Sequence, residues 1–402
     1  MLTPEYLLRI SEGAEGIAEQ LHNEIIRRIV QRIMIRLARG DDYKMTATDK
    51  WQLEVLQDAG YLLSDVQTEI AKYTRLQQTE ILEAMQDAGV ATLAYDDAIY
   101  QAAGLSPTPL KQSPPMIRIA QRNYKATLGE WKNFTKTTAT ATQQLFIREC
   151  DKAYNLVSSG GVSYTEAVKN AINSIVTDGV TVKYPTGHTD TIETATLRAV
   201  RTGISQMSAE ITDTRMDEMN WDTILVSAHL GARVTDRDDF TNHYWWQGKF
   251  YSKSGKDSRF PPFSVCGLGD VQGIHGANCR HSHGPGDGVH NPFEHYDSEK
   301  NKVAYDLQQR QRLLERRIRK TKRRVIGLKE SVDSAPDEPT RQTQQEAYEK
   351  AAALLQKQNQ AYNQFCRDND LKRLADRIAI AKWDRKQAAQ ATAAARRHNN
   401  KK

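Results

Sequence analysis

From Leu8 onward, apolar side chains recur at three- and four-residue spacing through Ile10, Ala14, Ile17, Leu21, Ile25, Ile29, Ile33 and Leu37. At 3.6 residues per turn this spacing keeps one face apolar and predicts one amphipathic helix of about eight or nine turns. Gly40, Asp41 and Asp42 read as its stop. Thr48 opens a second helix with a Trp51/Val55/Leu56 stripe, and residues 64–85 form a third with Val66, Ile70, Tyr73, Ile81 and Met85 on its apolar side. Helices this long are not held by propensity alone and need partners, from the same chain or from neighbouring subunits. The pattern points to a mainly α fold rather than to a small core around one ligand pocket.

The segmentation follows from punctuation along the chain. At 402 residues, two or three domains are expected. Residues 1–103 read as an N-terminal helical region. Residues 104–116 read as a proline-rich linker, since Pro114 and Pro115 in succession argue against helix and for extended chain. A helical region follows over 117–178, weakened by the Thr-rich run TKTTATATQQ and interrupted at Ser158-Ser159-Gly160-Gly161. Ser163 with Glu166 three residues later forms a capping-box pattern for a helix through Val176. At Gly179 the texture changes, and residues 179–297 read as a small α+β domain. TVKYP alternates as a strand does, a helix is expected over 189–219, and TILVSAHL is a buried strand. HYWWQGKFYS is read as a second strand or hairpin, which would set Trp245 and Trp246 on opposite faces. Glycine and proline make the backbone from 267 to 288 irregular. A basic helix over 298–330, a linker over 331–340 and C-terminal helices over 341–402, expected at 342–365 and 369–395, complete the chain.

Composition narrows the function classes. No run approaches 18 apolar residues, so no membrane-spanning helix is expected. The N-terminal segment has no basic stretch followed by an apolar one, which argues against a signal peptide. Four cysteines are too few and too scattered for a disulfide framework, which fits synthesis in a reducing cytoplasm. The net charge of +6 is unevenly spread: residues 301–402 carry 25 Lys and Arg against 12 Asp and Glu. Nine basic residues (Arg310, Arg312, Arg316, Arg317, Arg319, Lys320, Lys322, Arg323 and Arg324) crowd one stretch of the basic helix. Val303, Leu307, Leu314, Ile318 and Val325 repeat over eleven residues on one face, so those arginines are expected to point outward toward dense phosphates. No aromatic residue lies between 306 and 347, so contact with DNA would carry little sequence preference. A solvated helix face, or an acidic partner helix, accounts for the same charge run.

Two stretches could carry chemistry. In GIHGANCRHSHGPGDGVH, with His243 and Cys266 upstream, thiol and imidazole groups are dense enough to nominate Cys266, His275, Cys279 and His281 as zinc ligands. The paired ligand arms of known zinc motifs are missing, and histidines in a glycine-rich loop also serve as hydrogen-bond partners. In SAHLGARVTDRDDFTNHYWWQGK, Ser227, His229, Arg233, Asp236, Asp238 and His243 invite a hydrolytic or metal-dependent reading. No nucleophile elbow, His-Glu-x-x-His helix, phosphate loop or dinucleotide fingerprint accompanies them. A structural polar network is the favoured account, with a transferase or hydrolase built on residues 179–297 as the alternative.

These stretches together carry a resemblance. Ser227-Ala-His229-x-Gly-Ala-Arg233, then His243 and Gln247-Gly248-Lys249-x-Tyr251, then Gly273-Ile-His275-Gly-x-Asn278-Cys279-Arg280-His281, resemble the tailed-phage minor capsid protein family of minor capsid protein 2 type. More distantly, the segment is similar to Mu F-type head morphogenesis domains, which end in a His-x-Asn-Cys-Arg signature. Where the Mu F-type pattern often has Arg-Cys, this chain has Arg280-His281. The motifs span about residues 220–290. The resemblance implies a structural virion protein, not an enzyme, with no resident cofactor and several copies per virion. It would sit at the portal vertex or inside the procapsid, with portal, major capsid or scaffold proteins as partners. A likeness of Mu F-type domains to ADP-ribosyltransferase folds brings no activity with it, because the Arg, Ser-Thr-Ser and Glu-x-Glu series is missing. A nucleic-acid-binding protein acting through the basic tail alone would leave the body of the chain unexplained.

Overall fold

Over residues 1–38, 48–184 and 186–401, which the computed structural model describes, the fold is mainly α, with small antiparallel sheets in the middle of the sequence. The chain enters through α1 (Pro4–Arg9), capped by the Thr3 side chain, and continues in α2 (Glu12–Ala38). The single helix expected from Leu8 is thus two. Arg201 explains the break: its guanidinium donates to the Leu8 carbonyl at 3.0 Å and to Ser11 Oγ at 3.3 Å, taking an acceptor that an unbroken helix would use. The stop at Gly40–Asp42 and the Trp51 side chain lie outside the described residues.

The second and third expected helices are one, α3 (Thr48–Ala102), 55 residues long. No proline interrupts it, and Gly60 costs only about 1 kcal/mol relative to alanine. Burial of Val55, Ala59, Leu62 and Val66 on the same stretch outweighs that. Pro114 and Pro115 also depart from expectation, because they begin α4 (Pro114–Ser158) instead of forbidding it. The first turn of a helix has N–H groups with no partner inside it, so proline there sacrifices no hydrogen bond. The connecting segment therefore ends at Ser113, after a 3-10 turn at Leu110–Gln112. The Thr-rich run stays helical. Thr137 and Thr142 return their hydroxyls to the Asn133 and Thr138 carbonyls, at 3.1 and 2.8 Å. As the sequence predicts, α5 (Tyr164–Asp178) is capped by Ser163, whose Oγ accepts from the Glu166 amide.

In the middle of the chain, β1 (Thr181–Lys183) pairs antiparallel with β2 (Thr189–Thr191), with Val182 opposite Asp190. Residues 189–191, expected to open a helix, are therefore strand, and α6 runs from Ile192 to Glu218. β3 (Thr223–Val226) is the centre of a three-stranded antiparallel sheet between β4 (Phe250–Ser252) and β5 (His283–Pro285). The expected aromatic strand is corrected to one helical turn, α7 (His243–Trp246), followed by β4. Trp246 is fully buried and its indole N–H donates to the Phe240 carbonyl at 3.1 Å, a bond that a strand register would break. Three further helices follow: α8 (Ser298–Asp333), α9 (Glu338–Asp368) and α10 (Arg385–Asn400). The helix expected from residue 369 begins only at Arg385. Gln311, Lys322 and Asn23 donate to the carbonyls of Lys372, Ile378 and Ala381, and this tied-down stretch forms only a 3-10 turn at Asp376–Ile378.

Two compact units emerge, each assembled from three separated stretches. The first comprises Met1–Glu15, Leu76–Lys132 and Thr196–Gln309. Its interior holds an all-helical cluster around Ile81, Met85, Met116, Ile204, Met207 and Ile211. A second cluster lies under the three-stranded sheet, around Tyr100, Ile224, Val226, Trp246, Tyr251 and Phe263. The other unit comprises Gly16–Arg75, Asn133–Ala195 and Arg310–Lys402, where α9 packs on α5 and α10. Residues 179–195, grouped by sequence with the α+β segment, belong to this second unit.

Candidate functional site

The glycine-rich loop of the first unit is built on close backbone approaches. Gly267 is left-handed at φ 68°, and a Cβ on Gly273 would lie 2.0 Å from the Gly267 carbonyl oxygen. Only glycine allows the loop to fold back here, and in doing so it delivers His275, Cys279, His281 and His283 to the interior. His275 and Asn278 also take positive φ, at 59° and 62°. Arg233 holds the loop from outside, donating to the Gln272 and Ala277 carbonyls at 3.2 and 3.3 Å.

The residues of the resemblance motif divide by what they touch. Ser227 is buried and exchanges bonds with Ser282: its Oγ accepts from the Ser282 amide, and its own amide donates to the Ser282 carbonyl, both at 2.9 Å. Gly248, at φ 63°, turns the chain where a Cβ would press on Ala228 at 3.1 Å. The His229 ring stacks on His281 at 4.5 Å between centroids, and the Arg280 guanidinium reaches both His229 and Gln308. Asn278 is exposed.

Of the four residues nominated for zinc, Cys279 and His281 come together, while Cys266 and His275 lie outside that group. Cys266 lies in a 3-10 turn beside Tyr251, its thiol pushed up to about 12 by burial. His275 is committed at both ring nitrogens: Nδ1 to Ser205 Oγ at 2.7 Å and Nε2 to His283 Nδ1 at 2.9 Å. His283 Nε2 in turn meets Asp213 Oδ1 at 3.3 Å. A line of hydrogen-bonding contacts thus joins Ser205, His275, His283 and the Asp213 carboxylate. Burial, then the neighbouring His283, holds His275 well below its ordinary value. The line resembles a catalytic relay, yet Ser205 is 1% exposed and His275 2% exposed, so the hydroxyl is closed to a macromolecular or bulky substrate. Its evident work is to tie α6 to the loop. The sequence holds no signal for it, since Ser205 and Asp213 are two polar residues among many on a long helix.

What the structure does bring together is His243, Cys279 and His281, all buried, with one ligand atom from each within 4.8 Å of the others. Among the described residues this is the one group of three with metal-ligand geometry. Burial lowers His243 to about 4, holds His281 well below its ordinary value and raises the Cys279 thiol to about 11. All three are thus neutral near pH 7.

The basic helix belongs to α8, and its nine cations divide sharply. Arg310, Arg316, Arg317 and Lys320 are exposed, while Arg312 and Arg319 are half-buried. Lys322 is buried, donates to the Ile378 carbonyl and is lowered to about 8 by desolvation. Arg323 faces Glu19 at 3.2 Å and Glu193 at 2.8 Å, and Arg324 donates to Asn173 Oδ1 at 2.8 Å. The expectation that all nine point outward is corrected: the helix turns its C-terminal basic residues inward, to buried acids and carbonyls. Val303, first in the expected apolar stripe, is 56% exposed, whereas Ile318 and Val325 are buried. Glu193 is also held by His22, whose Nδ1 lies 2.8 Å from Oε2. Burial opposes the charge on Glu193, but Arg323 and His22 outweigh it and keep the carboxyl below its ordinary range. A cleft of about 210 Å³ opens beside this group, lined by Thr191, Thr194, Arg316, Arg319 and Lys320 among others.

Among the described residues no helix is long and apolar enough to cross a membrane. A family model described as phage minor capsid protein 2 matches residues 2–367. Comparison with curated proteins and with solved structures gives no match.

Proposed function

Because the chain belongs to the phage minor capsid protein 2 family, we propose that it works as a structural component at the portal vertex or procapsid interior and touches packaged DNA. The family supplies the premise of a structural capsid role in the virion, with other virion proteins as partners. The observation that carries the DNA contact is the exposed quartet Arg310, Arg316, Arg317 and Lys320 on α8. At 100° per residue these four fall within about a third of the helix circumference. Guanidinium groups so arranged suit bidentate phosphate contacts, and the stretch lacks aromatics for base stacking. Arg316 and Lys320 also line the cleft beside α8, where threonine hydroxyls add donors for a phosphate.

The test is substitution of the four exposed cations by Gln. Duplex binding by the full chain should weaken and its salt slope flatten, by about 0.9 for each phosphate no longer neutralised. Unchanged DNA affinity in this variant, together with abolished binding to portal protein, would assign the quartet to a protein partner instead.

A further inference from the structure

We infer that His243, Cys279 and His281 form a binding site for one thiophilic metal ion of the d10 class, zinc(II) or copper(I). The inference is independent of the DNA contact and rests on how the far side of each ring is held. His281 Nε2 lies 3.0 Å from Gln247 Oε1. That oxygen is identified as an acceptor because the His229 amide also donates to it, at 3.0 Å. His281 therefore carries its proton on Nε2 and presents the Nδ1 lone pair. His243 Nε2 lies 2.8 Å from the Gln272 carbonyl, so it too carries its proton there and leaves Nδ1 unprotonated. Ligating histidines characteristically donate the other ring N–H to a carbonyl or carboxylate, which fixes tautomer and orientation. Here both rings are fixed in that way.

The separation fits as well. His281 Nδ1 and Cys279 Sγ are 3.7 Å apart. Zinc–sulfur and zinc–nitrogen bonds of about 2.3 and 2.0 Å, at angles between tetrahedral and trigonal, place their donor atoms about 3.5–3.7 Å apart. The three donor atoms lie within 4.8 Å of one another, so the widest pair has to close by about 1 Å on an ion. Trp246 packs on both rings, at 4.7 Å from His243 and 4.8 Å from His281, which limits access of water. One thiolate and two imidazoles make a soft donor set that favours zinc or copper(I) over magnesium or calcium. Three donors satisfy trigonal copper(I) as they stand and leave zinc one position for a water. Binding replaces the Cys279 S–H by a sulfur–metal bond and releases one proton to solvent. Arg233 and Arg280 lie close enough to favour the thiolate.

The experiment uses the purified full chain under reducing, anaerobic conditions, titrated separately with zinc(II) and copper(I) against a competing chelator. About one equivalent of either ion should bind, and the titration tells which. X-ray absorption on the loaded wild-type protein should show one sulfur and two nitrogen neighbours. Gln247→Leu should weaken binding by about 10–100-fold, while His275→Gln should leave the stoichiometry unchanged. A wild-type chain that takes up neither ion overturns the inference, as does a metal shell without sulfur. Both of those readouts use the wild-type chain and stand even if Gln247→Leu or His275→Gln fails to fold.

Discussion

His275, His281 and His243 carry the clearest consequence at the scale of single residues. Each is held below the ordinary histidine value of 6.5 by burial, His243 to about 4. The unfolded chain binds protons at these positions that the folded chain refuses. Their contribution is therefore fully present above pH 6.5 and is lost as pH falls toward the folded values. Free Asp and Glu side chains have midpoints of about 3.9 and 4.3, so the histidines dominate the window from 6.5 to 4.5. Thermal melts of chelator-treated protein should show stability falling in that window by about 1.4 kcal/mol per pH unit for each participating histidine. A flat profile from 6.5 to 4.5 would contradict the burial of neutral imidazoles. Gly273 gives a second check. Gly273→Ala places a Cβ where the Gly267 carbonyl stands, so the loop must open and the protection of the Cys279 thiol from alkylation should disappear. A Gly273→Ala chain with its Cys279 still unreactive would refute the close approach.

Among the elements, α8 shows two faces with different work. Its exposed cations belong to the DNA proposal, and replacing any one of them by Gln should change stability by no more than about 0.5 kcal/mol. Arg323 is different, because its side chain is 10% exposed and faces two acids that are more buried still. Arg323→Gln takes a cation away from the buried Glu193 and Glu19 and should cost about 3–5 kcal/mol, read by urea denaturation. Equal effects from the two substitutions would dissolve the distinction. The same helix shows how far sequence reading reaches. Its existence and its start at Ser298 follow from periodicity, but nothing in a run of nine cations separates Arg317 from Arg323. The acids that turn Arg323 inward are Glu19 and Glu193, far away in sequence. For the same reason His243 is visible in the sequence as a motif residue but not as a partner of Cys279 and His281. Short-range rules succeed where the cause is local, as at Ser163, and fail at Pro114, where the position of proline within the helix decides its effect.

Taken as a whole molecule, the chain is organised by interleaving. Residues 16–75, 133–195 and 310–402 form one compact unit, and the stretches between them contribute to the other. Cutting after residue 178, as the linear segmentation invites, would remove α8, α9 and α10 from the unit that α2 and α5 belong to. A fragment of residues 1–178 should therefore expose apolar surface and aggregate, and partner binding should be mapped with point variants of the full chain. Soluble, monomeric behaviour of that fragment would contradict the interleaved division. The family gives the chain a structural capsid role. The most direct measurement is quantitative mass spectrometry of procapsids and mature particles assembled with and without the gene for this chain. The account predicts the protein in purified procapsids at fixed stoichiometry before DNA enters, and defective heads without it. Procapsids of normal composition that mature to full infectivity in its absence would contradict it.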